Sequence, residues 1–133
     1  MHTETYQSDI KRLFEQEAQS ILNIPVDNPY KKALQLIHRA HRKRGRLVVT
    51  GVGKARDVGK KIVSTFKSTA ISSIFLAPLD ARHGDLGILG PHDIFLLISN
   101  SGKTTEIIEL IHLAKKMHRS IDTICITSKI SSP

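Results

Sequence analysis

Residues 93–106, Asp-Ile-Phe-Leu-Leu-Ile-Ser-Asn-Ser-Gly-Lys-Thr-Thr-Glu, join a short apolar run to a group of hydroxyl side chains. The apolar run predicts a buried strand, and the apolar spacing that follows it predicts a helix over 103–118. The free N–H groups at a helix start attract an anion, and Ser99, Ser101 and Thr104 add hydroxyl donors. This stretch therefore predicts a phosphate site at a strand-to-helix junction.

The same alternation of apolar runs and helical spacing extends through the neighbouring sequence. Apolar runs predict further strands at 47–49, 72–76 and 121–127, and a helix is predicted at 54–68. A polar loop with several glycines is predicted over 78–91. Strands that alternate with helices indicate a parallel sheet covered on both faces, so we expect an α/β fold of the three-layer αβα sandwich type.

Two helices are predicted ahead of the first strand. Residues 3–24 carry apolar side chains at helical spacing, and a second helix begins near Pro29 and ends at Gly45. We therefore divide the chain into an N-terminal helical segment, 1–45, that packs on the sheet or on a partner subunit, and an α/β domain, 46–133. Because the apolar side of the first helix is too hydrophobic to stand alone, we expect a homodimer or homotetramer.

The composition is that of an ordinary globular domain. The chain has 133 residues, 40% of them hydrophobic, and a formal net charge of +8. Its single cysteine, Cys125, excludes an intramolecular disulfide, and the apolar neighbours favour a buried position. The sequence has no run of 18 apolar residues and no signal-peptide pattern at its start, so we expect a cytoplasmic protein without a membrane partner.

Much of the positive charge lies in residues 38–46. Such a cluster attracts nucleic acid, but this one has no interleaved aromatic side chain and no recognition motif. A solvated helix end, or a contact with a neighbouring subunit, explains it better, and nucleic acid is not an expected partner. Four histidines lie among charged residues on predicted helices and should face solvent: His38, His41, His112 and His118. No residue spacing indicates a metal site, and no cofactor is expected.

Three loops follow predicted strands and should meet at the carboxyl edge of the sheet, where α/β folds bind ligands. The first holds Gly51, Gly53 and Lys54, which fit neither a dinucleotide-binding nor a Walker A motif. A bound anion would explain the lysine, and a glycine turn with a solvated lysine is the alternative. The second holds His83, an acid/base candidate or part of a plain surface loop. The third leads into the predicted helix that carries Glu106. The carboxylate of Glu106 is expected either to face a bound sugar or to compensate the helix dipole.

Together these motifs resemble the sugar isomerase (SIS) domain family, and within it the arabinose-5-phosphate isomerases. The matching segments are 49–54, 75–78, 80–87, 98–106 and 124–127. The resemblance implies a flavodoxin-like SIS fold and a phosphosugar ligand. It also implies interconversion of D-arabinose 5-phosphate and D-ribulose 5-phosphate through an enediol.

The resemblance extends to individual residues. It implies that Lys54, His83 and Glu106 lie in or near the catalytic site, where the reaction needs a base and a group that stabilises oxygen charge. Which of the three serves as acid or base stays open. The residues expected to bind the substrate or its phosphate are Gly51, Gly53, Ser99, Asn100, Ser101, Gly102 and Thr104.

The chain departs from the family pattern in several places. Ala55 stands where these enzymes usually have serine, and Lys103 replaces a usual glutamate. Relatives continue past Pro133 into segments that carry a further catalytic glutamate and histidine, and many also carry a regulatory CBS pair. Two functions therefore stay open: an isomerase-like chain whose site is completed by more polypeptide or by a neighbour, and a phosphosugar-binding or regulatory module without turnover.

Overall fold

The structure is a computed structural model that describes residues 2–118 and 120–129. The chain divides into two compact units between Lys31 and Lys32. The first unit holds α1, His2–Leu22, and the start of α2, Asn28–Arg42. The apolar side chains along α1 are exposed, including Phe14 at 71%. Within the described residues, no helix has the length and apolar character needed to cross a membrane.

The second unit is built around a parallel sheet of four strands. The strands are β1 (Leu47–Gly51), β2 (Ser73–Phe75), β3 (Ile94–Ile98) and β4 (Asp122–Ile126). The helices that connect them are α3 (Lys54–Ser68), α4 (Pro78–Arg82) and α5 (Thr105–Met117), with a 3-10 turn at Asp85–Ile88. The strand order is β2-β1-β3-β4, so β1 and β3 are central.

Side chains that alternate along the strands divide the core between the two faces of the sheet. Val48, Phe95 and Leu97 belong to a buried cluster formed with residues of α4 and α5. Leu47 and Val49 belong to a second cluster, formed with residues of α2 and α3 on the opposite face. Helices therefore cover the sheet on both faces, which confirms the predicted three-layer α/β sandwich.

The segment 78–91 differs from the predicted polar loop. Pro78 is the first residue of α4, where its fixed φ suits a helix start and its missing N–H is not needed. Ala81, Leu86 and Leu89 are buried in the same cluster as α5. Apolar residues therefore order most of this segment, but its helical pieces are too short to show a sequence period.

Cys125 is exposed, so the prediction of a buried cysteine is wrong. It lies on β4, an edge strand whose middle residues are only partly covered. The partial burial that remains raises the pKa of the Cys125 thiol. The prediction that His118 faces solvent is also wrong. This residue is half-buried, and its Nε2 lies 3.1 Å from the carbonyl oxygen of Leu89.

The end of α2 also differs in detail from the prediction. Arg44, with φ of 59°, takes the left-handed position that ends the helix, and the N–H of Gly45 donates to the carbonyl of Ala40. Gly45 is needed for a different reason. A Cβ atom there would lie 2.0 Å from the backbone oxygen of His92, so this position admits only glycine without a backbone shift.

An ion pair fastens the amino edge of the sheet. The Asp93 side chain is 3% exposed, and it accepts hydrogen bonds from the Arg46 backbone N–H at 2.7 Å and from Arg46 Nη2 at 2.7 Å. The Gly90 N–H donates to the same carboxylate at 2.9 Å. Burial alone would raise the pKa of Asp93, but these hydrogen bonds and the Arg46 charge outweigh it and lower the pKa. The starts of β1 and β3 are thereby tied together.

Candidate functional site

The carboxyl ends of the strands bring the predicted site loops to one edge of the sheet. Gly51, the last residue of β1, pairs with Ile98, the last residue of β3. The loop that starts α3 and the loop that starts α5 therefore leave neighbouring strands at the same level. The segment that holds His83 follows β2 on the other side of β1.

The turn from β1 into α3 depends on two glycines. A Cβ atom on Gly51 would lie 2.8 Å from the backbone of Ala55, so the helix start approaches the strand end closely. Gly53 has φ of 62° and occupies the N-cap of α3 without a side-chain cap. Lys54 is the first residue of α3 and is exposed. A cation is thus placed beside a helix start that has no capping side chain.

The loop from β3 into α5 forms a compact turn lined by hydroxyl groups. Ser99 is 5% exposed, and its Oγ lies 2.8 Å from Thr104 Oγ1. The N–H of Gly102, with φ of 66°, donates to the Ser99 carbonyl, and the Lys103 N–H donates to Ser101 Oγ. Thr104 is the N-cap of α5, yet its side chain does not cap the helix. We call residues 99–104 the hydroxyl turn.

The far side of the hydroxyl turn is anchored to the end of β4. The carbonyl oxygen of Asn100 accepts hydrogen bonds from the N–H of Ser128 at 3.1 Å, from Ser128 Oγ at 2.7 Å and from Thr127 Oγ1 at 3.3 Å. Asn100 thus holds the turn through its backbone, while the residue itself is exposed. Thr127 and Ser128 were not among the predicted site residues. The signal that could have identified them is the pair of hydroxyl side chains directly after β4.

His83, at the end of α4, and Glu106, in α5, belong to elements that pack on the same face of the sheet. His83 directly follows α4 and precedes Gly84, whose φ of 122° favours glycine, and Glu106 is the second residue of α5. Arg82 Nη1 and Glu109 Oε2, 2.9 Å apart, join these two helices. Lys54 begins α3, which packs on the opposite face. Across the described residues, no hydrogen bond joins Lys54, His83 and Glu106 to one another.

One further polar group lies next to these loops. Thr50 is fully buried, and its Oγ1 has no hydrogen-bond partner among the described residues. It precedes Gly51 at the carboxyl end of β1 and is level with Leu97 of β3. Burying a hydroxyl without a partner costs about 1–3 kcal/mol of folding free energy, and Thr50 carries such a hydroxyl beside the site.

Among the clefts formed by the described residues, two lie against the sheet. One, of about 280 Å³, begins at Ser99 and Thr104 of the hydroxyl turn and runs between α5 and β4 as far as Cys125. The other, of about 580 Å³, lies at the amino edge and is lined by residues that include Arg39 and Asp122. None of the predicted site residues line the larger cleft. The smaller cleft is therefore the one that belongs with the candidate site.

Comparison with known protein families decides the assignment. The SIS domain matches residues 41–133 of this chain, which is more than half of its length. The chain belongs to the SIS domain family. This confirms the resemblance that the strand-end motifs indicated, and the parallel sheet is the one found in solved SIS-fold structures.

Solved SIS structures agree closely with this chain. A Bacteroides fragilis protein described as a candidate phosphosugar isomerase involved in capsule formation is 50% identical, with a TM-score of 0.93 over 96% of this chain and 67% of that one. An Escherichia coli CFT073 protein in complex with arabinose 5-phosphate is 32% identical, with a TM-score of 0.83 over 99% of this chain and 69% of that one.

Curated relatives are longer than this SIS chain. The arabinose 5-phosphate isomerase KdsD of Yersinia pestis is 40% identical over 118 residues, which are 89% of this chain and 34% of the relative. Across the curated relatives, the matched region of this chain spans 25% to 34% of the relative's length. This places it among SIS sugar-phosphate isomerase relatives, and the activity of those longer proteins is a proposal for this chain.

Proposed function

We propose that this SIS chain binds a phosphosugar at the carboxyl edge of its sheet and takes part in interconverting D-arabinose 5-phosphate and D-ribulose 5-phosphate. The observation that carries the proposal is the hydroxyl turn, in which Ser99 and Thr104 lie in contact at the start of α5. The longer KdsD relatives, named as arabinose 5-phosphate isomerases, support this choice of substrate.

The proposed phosphate position follows from the helix start. The first N–H groups of an α-helix have no partner within the helix, and the positive end of its dipole attracts negative charge. Because no side chain caps α5, a ligand phosphate would take those N–H groups. Ser101 and Thr104 would add hydroxyl donors, and Lys103 would add positive charge. The proposed phosphate-binding set is completed by Gly51, Gly53, Ser99, Asn100 and Gly102.

The chemistry of the proposed reaction is a redox-neutral proton shift. A base takes the proton from C2 of the aldose, and the same proton returns at C1, while the O2 proton passes to O1. The enediol between these steps carries charge on oxygen, which a nearby cation stabilises. We propose Glu106 and His83 for the proton transfers and Lys54 for the oxygen charge. The reaction needs no cofactor or metal.

The proposed assembly is a homodimer or homotetramer located in the cytoplasm. The apolar side chains of α1 support it, because Phe14 and Leu22 are 71% and 77% exposed. An exposed apolar stripe of this kind favours association between copies. In this proposal the segment 1–45 packs against another subunit, and the remaining residues form the phosphosugar-binding domain.

A second candidate is a phosphosugar-binding module without turnover. It is favoured by the three proposed catalytic residues, which no hydrogen bond joins to one another across the described part of the chain: Lys54, His83 and Glu106. A coupled assay with arabinose 5-phosphate, alongside calorimetry with the same ligand, separates the two candidates. Turnover supports the isomerase, and binding without turnover supports the module. If the chain neither binds nor converts the sugar, both candidates are wrong.

The role of His83 has its own test. His83→Ala should lower kcat at least about a hundredfold, which is the usual contribution of an acid/base group, and leave the affinity for arabinose 5-phosphate within about twofold. His41→Ala, an exposed histidine on α2, is the matched control and should retain full turnover. A His83→Ala variant with full activity would remove His83 from the catalytic set.

A further inference from the structure

The short helix α4 positions His83, which directly follows it. Only one side of this helix is buried against the rest of the domain. It has five residues, and a helix of that length is not stable without tertiary contacts. Pro78 and Ala81 are its buried residues, and Leu79 is 64% exposed. Ala81 belongs to the buried cluster shared with α5, whereas Leu79, Asp80 and Arg82 of α4 are exposed.

A charged contact also joins α4 to α5. Arg82 Nη1 and Glu109 Oε2 lie 2.9 Å apart, with side chains 52% and 44% exposed. Among residues 2–118 and 120–129, this is the one ion pair that joins α4 to another element. It links the last residue of α4 to the middle of α5, whose first turn carries Glu106.

Both partners are next to groups proposed for catalysis. Arg82 directly precedes His83 in the chain. Glu109 lies three residues after Glu106, a spacing that places the two side chains next to each other on the surface of a helix. The ion pair therefore acts close to both proposed proton-transfer groups, although neither Arg82 nor Glu109 was predicted as a site residue.

We infer that Arg82 and Glu109 are positioning residues, which together hold His83 in a fixed relation to Glu106. The inference rests on the proposed function, since it concerns the same site. Proton transfer requires the two groups to stay within hydrogen-bonding reach of one bound sugar. A displacement of about 1 Å is enough to lower an enzymatic rate about a hundredfold, so a small movement of α4 has a large effect on kcat. Substrate affinity would change little, because the proposed phosphate contacts lie in the hydroxyl turn.

An exposed ion pair contributes little to overall stability, so removing it should not unfold the protein, and its local effect can be measured separately. The variants are Arg82→Gln, Glu109→Gln and the exchange R82E/E109R, which restores an ion pair with its charges reversed. The matched control is Arg39→Gln. It removes an ion pair of similar exposure between Arg39 and Asp122, which joins α2 to β4 at the amino edge of the sheet. All four variants should keep the melting temperature within a few degrees of the wild type.

Amide hydrogen exchange provides a readout that does not depend on turnover. The N–H groups of Ala81, His83 and Gly84 donate hydrogen bonds within α4 and at its end. Their exchange should become at least about fivefold faster in both single variants, return toward wild-type rates in the exchanged pair, and stay unchanged in Arg39→Gln. Unchanged exchange in the single variants would overturn the inference.

Steady-state kinetics provide the second readout. Arg82→Gln and Glu109→Gln should each lower kcat at least about tenfold with KM within twofold. The exchanged pair R82E/E109R should recover part of that loss. Normal kcat in Arg82→Gln, or an exchanged pair no better than the singles, would overturn the inference. If the wild-type chain binds arabinose 5-phosphate without converting it, the isomerase proposal fails, and the exchange rates alone then decide whether the pair positions α4.

Discussion

Ser99 Oγ and Thr104 Oγ1 lie 2.8 Å apart across the turn that joins β3 to α5. The hydrogen bond closes the hydroxyl turn at its base and keeps the Thr104 hydroxyl from capping the helix that it begins. The first N–H groups of α5 are therefore not capped by a protein side chain.

Replacing Ser101 and Thr104 together by alanine should abolish phosphosugar binding and leave the fold intact. The change removes two hydroxyl donors, from the exposed Ser101 and the partly exposed Thr104, and neither residue belongs to a buried cluster. Calorimetry with arabinose 5-phosphate measures the affinity, and circular dichroism checks the fold. Thr105→Ala, at an exposed neighbouring position in α5, is the control and should bind normally. Unchanged affinity in the double variant would contradict the phosphate assignment.

Asp93→Asn should destabilise the protein by about 3 kcal/mol, because it leaves the partly buried Arg46 guanidinium without its counter-charge. Urea unfolding at neutral pH measures the change. The control is Asp57→Asn, which removes an exposed carboxylate that pairs with Arg56 in the first turn of α3. A loss no larger than that of the control would mean that the amino-edge ion pair does not stabilise the sheet.

The same carboxylate predicts how stability depends on pH. The pKa of Asp93 is lower in the folded state than its ordinary value. Its stabilising contribution is therefore complete above about pH 4 and is lost as the pH falls through the lowered folded-state pKa. Unfolding measured between pH 7 and pH 2 should show a smaller acid-induced loss of stability in Asp93→Asn than in the wild type. Parallel curves would refute this prediction.

Thr50→Val should raise the free energy of unfolding by about 1 kcal/mol. The Thr50 hydroxyl is buried without a hydrogen-bond partner among the described residues, and valine has nearly the same shape. Ser73→Ala is the opposite case, since the buried Ser73 hydroxyl donates to the Val63 carbonyl at 3.0 Å. That variant should lose about 1 kcal/mol. Destabilisation by both changes would show that Thr50 has a partner in solution.

Phe14→Glu should dissociate the proposed oligomer. It places a charge in the exposed apolar stripe of α1, where Phe14 is 71% exposed. Light scattering at micromolar concentration should give a dimer or tetramer for the wild type and a smaller species for the variant. Gln16→Glu, another exposed position on α1, is the control. A monomeric wild-type chain would defeat the prediction.

Local sequence patterns were sufficient to predict much of the fold. The helix predicted at 54–68 coincides with α3, because its apolar spacing is regular and glycines precede it. The predicted strand at 121–127 lies within a residue of β4 at each end. The side chain of Cys125 was wrongly predicted to be buried, because an apolar run does not reveal that its strand lies at the edge of a sheet.

Contacts between distant residues were beyond the reach of sequence patterns. Arg46 and Asp93 are 47 positions apart, and the donors from Thr127 and Ser128 are 27 and 28 positions from Asn100. No local period or spacing encodes such pairs, since they arise only when parallel strands are placed side by side. The pair formed by Arg82 and Glu109 was missed for the same reason.

The carbonyl of Asn100 has a consequence for how a ligand would be received. Three donors from the segment after β4 converge on this one oxygen. The hydroxyl turn is therefore held in shape by hydrogen bonds within the protein before a ligand binds. A receptor that is already shaped gives up little chain entropy on binding. Affinity at this edge would then depend on residues 127 and 128, which lie behind the turn, as well as on the groups that meet the ligand.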